Sequence, residues 1–301
     1  MLSDTMAVLI ATRNRPQNLV RALESLASSN TIPAVVVVVS SGENVSQIIN
    51  SIQWPFQLIH EHLMGYGQIR QKQVGIALIP KTSSWVLFMD DDIILNPKAI
   101  TNALTILKYS SEPILGIGFG YASKEKFRGL KSFFNSKMPG RVTSDGRNLS
   151  YATSKETIST EWLNGISMWH KSVLHKYDFP YLDSKYSICE DLIYSYGVSR
   201  LGKIIYAPSC RFTFQLDEPK LVSSFDAFRA SAYWRLYFVL TNPPLSKNRF
   251  LLVEFYRTMK FLLDKIGSGG RRVEVCLIYL DLIKVVSTCI DPLLMLRTRR
   301  V

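Results

Sequence analysis

The chain has 301 residues, 47% of them hydrophobic and 20% charged, the balance of a globular protein, neither disordered nor plainly membrane-spanning. Its 36 Lys and Arg against 24 Asp and Glu give a formal charge of +12, so an acidic partner or surface is expected. Four scattered cysteines (Cys189, Cys210, Cys276, Cys289), with no CxxC pair, argue against a zinc site or disulfide framework and for a reducing compartment.

At the N-terminus, Asp4 stands where a signal peptide carries basic residues, and the next apolar run is too short for a signal core. A cytoplasmic protein is therefore expected. Ala7–Ala11 is a short apolar run, followed by the turn-like Thr12-Arg13-Asn14-Arg15-Pro16. Leu19, Ala22, Leu23 and Leu26 then recur at helical spacing, with Thr12 or Asn14 as candidate caps. Ala34–Val39 is an almost pure β-branched strand stopped by Ser40-Ser41-Gly42. Strand, helix and strand within about forty residues make a βαβ unit with parallel strands. Val45–Ile52 predicts a second helix and Phe56–His60 a third strand. The loop Leu63–Gly67 leads into a helix over Gln68–Ile79, with Ile69, Val74, Ala77 and Leu78 as its apolar face.

The run Trp85–Met89 reads as a strand buried on both faces. It ends in Asp90-Asp91-Asp92, and an apolar run closed by Asn96-Pro97 follows. Three adjacent carboxylates at a strand's carboxyl end ionise together only at a cost unless a positive group sits among them. A divalent cation with oxygen ligands answers that, at the end of the sheet where open α/β folds bind ligands. An acidic turn facing water is the alternative. Ala99–Leu107 predicts a helix started by Asn96 or Pro97, and Ile114–Phe119 a glycine-interrupted strand.

Lys124–Asn148 mixes basic residues with Phe127, Phe133 and Phe134, an excursion that covers the site, touches a membrane or is simply solvated. Glu161–His170 predicts a strand containing Gly165, a glycine of the kind that permits close backbone approach. Ser172–Tyr177 is a short helix, and Glu190-Asp191 opens another that Gly202 stops. Lys203–Pro208 predicts the last strand of this domain. Beyond Lys220 the pattern is helical and amphipathic, over Phe250–Ile266 and Val273–Ile290. That last quarter holds 14 Lys/Arg against 6 Asp/Glu and ends in Arg297-Thr298-Arg299-Arg300. Charges within the helices argue against spanning a membrane and leave packing on a domain or lying in an anionic interface. Two domains are expected: residues 1–219, and a basic helical extension over residues 220–301.

Thr12–Pro16, Asp90–Asp92, Asn164-Gly165 and Glu190-Asp191 stand in one order along the chain. This set resembles the family 2 inverting glycosyltransferases of the GT-A fold, most closely bacterial enzymes of polysaccharide and lipopolysaccharide synthesis, over about residues 6–215. The resemblance implies a mixed, mainly parallel sheet flanked by helices. It implies a nucleotide-sugar donor, a glycan or lipid-linked saccharide acceptor, and a divalent cation, Mn2+ or Mg2+. Thr12, Asn14 and Arg15 match the turn laid against the nucleotide, and Gly67, Arg70 and Gln71 a loop-helix segment on its other side. Asp90 and Asp92 match the DxD element, the last aspartate holding the metal and the first near the ribose. Gly165 matches a glycine near the donor sugar, and Asp191 the general base of the ED motif. Asp91, Asn164 and Glu190 are counted with the substrate-binding residues.

Two departures accompany the match. Ser40 stands where such enzymes commonly carry an aspartate that contacts the nucleotide's base, and Pro208–Gln215 lacks the histidine that many members use on the metal. The competing expectations are a catalytically silent glycan-binding or scaffold protein of the same fold, and a nucleotidyltransferase. Against the latter, Thr12–Pro16 occupies the place of a glycine-rich phosphate loop. Nucleic-acid binding finds no helix-turn-helix or zinc motif to support it.

Overall fold

A computed structural model describes residues 5–65, 67–121, 138–151, 154–179, 188–215, 224–264, 272–288 and 292. The expectations placed on Asp4, on most of the Lys124–Asn148 excursion and on Arg297–Arg300 lie outside the described residues. The chain divides into two compact units. One takes Met1–Arg141, Leu149–Tyr181 and Asp191–Glu218, the other Val142–Asn148, Leu182–Glu190 and Pro219–Val301.

The first unit is built on one sheet. Its strands are β1 (Thr5–Arg13), β2 (Val35–Ser41), β3 (Gln57–Leu63), β4 (Ser83–Asp90), β5 (Ile93–Leu95), β6 (Ile114–Tyr121), β7 (Ile158–Thr160), β8 (Ser167–His170) and β9 (Lys203–Phe214). They lie in the order β3-β2-β1-β4-β8-β6-β9-β5, with β7 on β9. The first four strands of that order are mutually parallel. β8 runs antiparallel to both β4 and β6, which makes the sheet mixed. Every residue of β2 is buried, as expected of a valine run covered on both faces. The helices are α1 (Pro16–Ala27), α2 (Ser46–Asn50), α3 (Gln68–Leu78), α4 (Ala99–Tyr109) and α5 (Glu190–Ser199). After β1 the chain winds outward through β2 and β3, then returns to lay β4 on the other side of β1. The crevice at the carboxyl ends of β1 and β4 is thus the topological switch point, where such sheets take ligands.

Several elements differ from the sequence expectation, each for a physical reason. β1 runs through Arg13, so Thr12 belongs to the strand and the capping position of α1 falls to Arg15, with no side-chain cap. Neither Thr12 nor Asn14 caps, because both side chains are engaged elsewhere. The buried face of α3 is Ile69, Gln71, Lys72 and Gly75, not Val74, Ala77 and Leu78. The helix packs on strand ends that need donors, and Gln71 Nε2 supplies them to the carbonyls of Thr12 and Val39 at 2.7 and 2.8 Å. α4 starts after Lys98, with Asn96 Oδ1 accepting the Lys98 N–H at 3.1 Å in the preceding turn. Of the strand expected over Glu161–His170, only Ser167–His170 is extended into the sheet. The N–H groups of Leu163 and Asn164 are donated to Ser195 Oγ and Tyr151 Oη, so they form no ladder. β9 continues past Pro208 to Phe214 because its second half pairs with β5.

The second unit holds α6 (Ser224–Thr241), α7 (Lys247–Asp264) and α8 (Arg272–Thr288). Its core is Ala232, Tyr233, Leu236, Val239, Phe250, Ile278, Leu282 and Val285. Glu254 is buried within it and is held by Arg257 one turn on. Among the described residues, no helix is long and apolar enough to cross a membrane.

Candidate active site

At the switch point Thr12 Oγ1 donates to Asp91 Oδ2 at 2.6 Å, and Arg15 Nη1 donates to Asp91 Oδ1 at 3.1 Å. The same guanidinium lies 3.4 Å from Asp92 Oδ2. Burial pushes the Asp91 carboxyl up to about 6, against the opposing pull of the Thr12 hydrogen bond and the Arg15 charge. Asp92 is raised as well, first by burial and then by Asp90. The triplet therefore divides by exposure. The Asp91 side chain, 6% exposed, is enclosed by its two partners, whereas that of Asp92 is 32% exposed. Asp90 accepts from Gln68 Nε2 at 2.9 Å. Gly165 comes so close that a Cβ built on it lies 3.4 Å from Asp90 Oδ2.

The first-strand turn reaches β2 through a tight crossing. Asn14 adopts a left-handed φ of 55° and accepts the Glu43 N–H on Oδ1 at 2.8 Å. A Cβ at Gly42, itself at φ 76°, would overlap that oxygen, so only glycine fits. Next to it Ser40 is buried and shares hydrogen bonds with His60 Nε2 and His62 Nδ1, both at 2.9 Å. Gly67 holds the extended position before α3, Arg70 is exposed on its first turn, and Gln71 is spent on backbone carbonyls.

Asn164 is fixed by its N–H to Tyr151 Oη at 2.7 Å and by Nδ2 to the Phe119 carbonyl at 3.1 Å. Its Oδ1 is buried and has no partner among the described residues, an acceptor that costs free energy until a donor reaches it. The Tyr151 ring packs at a tilt against Trp162 and Tyr206, with centroids 4.5 and 4.4 Å away. Burial, and then the charge of Asp191, raise the Tyr151 hydroxyl. Ser195 Oγ, which accepts the Leu163 N–H at 2.9 Å, ties α5 to the Asn164-Gly165 segment. Asp191 Oδ1 accepts the Leu192 N–H at 2.8 Å in the opening turn of that helix, and Glu190 beside it is buried.

Sequence reasoning missed Gln68, Tyr151, the histidine pair and Gln215. Gln215 N donates to the Asp92 carbonyl at 2.8 Å, and its Nε2 donates to the carbonyls of Asn18 and Asp91 at 3.1 and 3.2 Å. Its Oε1 is buried without a partner among the described residues. It sits at the end of the stretch noted above for its missing histidine. Only the pairing of β5 with β9 brings it to the triplet, and no local signal carries that. Among the described residues, no group of three or more His, Cys, Asp and Glu forms a metal cage. Oxygen donors alone (Asp90, Asp92 and the orphaned Gln215 amide oxygen) suit a hard divalent cation that keeps phosphate and water among its ligands.

The family model for glycosyl transferase family 2 matches residues 7–172. A fragment of S. aureus TarS in complex with UDP-GlcNAc is similar with a TM-score of 0.63 at 16% identity, over 93% of this chain and 81% of that one. S. aureus TarS itself gives 0.59 at 15%, over 96% of this chain and 50% of that one. Mannosyltransferase PcManGT from Pyrobaculum calidifontis, in complex with GDP-Man and Mn2+, gives 0.55 at 14%, over 97% and 82%. No curated protein matches the chain. The family model spans more than half of the chain and these neighbours share its fold, so the protein belongs to glycosyl transferase family 2 and is a glycosyltransferase.

Proposed function

We propose that the protein moves a sugar from a nucleoside-diphosphate donor to a hydroxyl of a glycan or lipid-linked saccharide, with inversion at the anomeric carbon. The carrying observation is the convergence at one switch point of Asp90, Asp92, Arg15 and Gly165, with Ser195 tying the helix of Asp191 to the same segment. Arg15 and the carboxyl ends of the strands orient the donor's diphosphate. Asp92 and Asp90, with Gln215 Oε1, would hold a divalent cation, which supplies charge neutralisation for the leaving diphosphate. Asn164 Oδ1 offers an acceptor for a hydroxyl of the donor. Asp191 takes the proton of the acceptor hydroxyl as the new C–O bond forms and the bond to the diphosphate oxygen breaks. One displacement with one base inverts the centre and needs no covalent intermediate. The neighbours' bound UDP-GlcNAc, and GDP-Man with Mn2+, support the donor class and the cation.

An anionic membrane surface is the proposed location, on the cytoplasmic face. Leu252, Phe255, Tyr256, Met259 and Leu263 form an exposed apolar stripe on α7, and Leu277, Leu280 and Ile283 one on α8. Apolar stripes on helices of a basic segment suit adsorption to anionic lipid.

The test is a panel of nucleotide sugars with and without Mn2+ or Mg2+. Metal-dependent transfer or slow donor hydrolysis with one of them is expected. No turnover of any donor, with any offered acceptor, would favour the silent binding protein instead.

A further inference from the structure

At the carboxyl ends of β2 and β3 five polar side chains form one connected chain, and with both imidazoles neutral the hydrogen count along it fixes every donor. The Ser46 backbone N–H donates to Asn44 Oδ1 at 2.9 Å, which marks that atom as the amide oxygen. Ser46 Oγ lies 2.6 Å from the same oxygen, a separation that two oxygens hold only with a hydrogen between them. Ser46 therefore spends its single proton on Asn44 and can only accept from His60 Nδ1, 3.0 Å away. His60 then carries its proton on Nδ1, so its Nε2 accepts from the Ser40 hydroxyl at 2.9 Å. Ser40 in turn has no hydrogen left, and His62 Nδ1, also at 2.9 Å, must be the donor. His62 is left with a bare lone pair on Nε2, with no partner among the described residues.

The row Thr12, Ser40, His62 is in register across β1, β2 and β3. These side chains stand on one face of the sheet, and two strand spacings, about 10 Å, separate His62 from Thr12, the residue that holds Asp91. A nucleotide whose diphosphate lies at the switch point and whose nucleoside follows that row over the βαβαβ half brings its base to His62.

We infer that His62 Nε2 reads the donor's base as a hydrogen-bond acceptor, and that Asn44, Ser46, His60 and Ser40 are positioning residues that fix its tautomer. An acceptor at the centre of the base's Watson–Crick edge pairs with a ring N–H, as in uracil and guanine. It meets a lone pair in adenine and cytosine. The assignment rests on the nucleotide-sugar reading above, and it makes Ser40 a relay to the base-reading group.

Two measurements on the full chain test it. Long-range 1H–15N spectra of histidine-labelled protein, at about pH 8 to keep the rings neutral, report each tautomer directly. His60 and His62 are expected as Nδ1–H. His170, whose Nδ1 accepts from Ser172 N–H, serves as an internal Nε2–H reference. Asn44 is exposed, and Asn44→Ala frees Ser46 to donate to His60, reversing the chain and turning His62 to Nε2–H. Binding of UDP, GDP, ADP and CDP is measured alongside. UDP or GDP is expected to bind tightest. His62→Leu and N-methylation of that base's ring N–H each weaken it by about tenfold, the net worth of one hydrogen bond, and do not add. Asn44→Ala should narrow the preference. An Nε2–H ring at His60 or His62 in the unmodified chain, tightest binding of ADP or CDP, or unchanged selectivity in His62→Leu overturns the inference alone. Failure to bind any nucleoside diphosphate overturns the donor reading with it. An unchanged His62 tautomer in Asn44→Ala overturns the positioning role.

Discussion

Thr12 Oγ1 and Asp91 Oδ2, 79 residues apart in the chain, are joined by a buried hydrogen bond of 2.6 Å. It ties the end of β1 to the turn after β4 and so closes the floor of the switch-point crevice. Replacing Thr12 with valine keeps the shape and removes the donor from a carboxyl that has few others. Thr12→Val is expected to lose about 1–3 kcal/mol of unfolding free energy in urea titration, whereas Thr12→Ser keeps most of it. Equal stability of Thr12→Val and wild type would deny the bond its role.

Gly75 tests the packing of α3. Inside an exposed helix, glycine to alanine gains about 1 kcal/mol of stability. Here a Cβ would sit 2.1 Å from Leu9 Cδ1 in the strand beneath, and overpacking of this kind costs about 1–3 kcal/mol. The clash outweighs the propensity. Gly75→Ala should therefore lower the melting temperature, and a rise would show that Leu9 yields freely.

The fold was largely legible in residue pattern. Valine and aliphatic runs gave the parallel strands, and the alternation with helices gave the βαβ frame, because burial on both faces leaves no polar alternation to mistake. The aspartate triplet stood out as a candidate site because adjacent carboxylates ionise together only at a cost, and the structure sets Arg15 against two of them. What stayed hidden depends on pairing between distant segments. Gln215 reaches Asp91 and Asp92 only through the β5–β9 ladder, and Tyr151 reaches Asn164 only through a loop. The buried face of α3 departs from its apolar spacing because Gln71 bonds backbone carbonyls, which leave no trace in side-chain periodicity.

His60 carries a pH dependence whose sign follows from its surroundings. Burial, and then the neighbouring His62, hold its imidazole below 6.5, against the opposite pull of Glu61. The unfolded chain therefore takes up the proton first as the pH falls. The stability tied to the neutral ring is full above 6.5 and is lost as the pH drops below 6.5 toward the folded value. Thermal melts at about pH 7.5 and about pH 5.5 should show a larger loss for wild type than for His60→Asn. An equal loss in both would remove His60 as the source.

Gln215 separates a structural amide from a cation ligand. Gln215→Leu removes the buried, unpartnered oxygen together with the donors to Asn18 and Asp91. Gln215→Glu restores an oxygen there. Weaker Mn2+ binding by calorimetry is expected for the leucine variant and recovery for the glutamate variant, since added negative charge favours the cation. Parallel loss in both would assign Gln215 to the scaffold.

Asp191, the proposed general base, stands in the opening turn of α5, the helix that Ser195 ties to the Asn164-Gly165 segment. Its most direct test is the rate of sugar transfer by Asp191→Asn under saturating donor, with donor affinity measured in parallel. A fall of about 10²–10⁴-fold in kcat is expected, the range for loss of a general base, with donor affinity little changed. Transfer at close to the wild-type rate would contradict it.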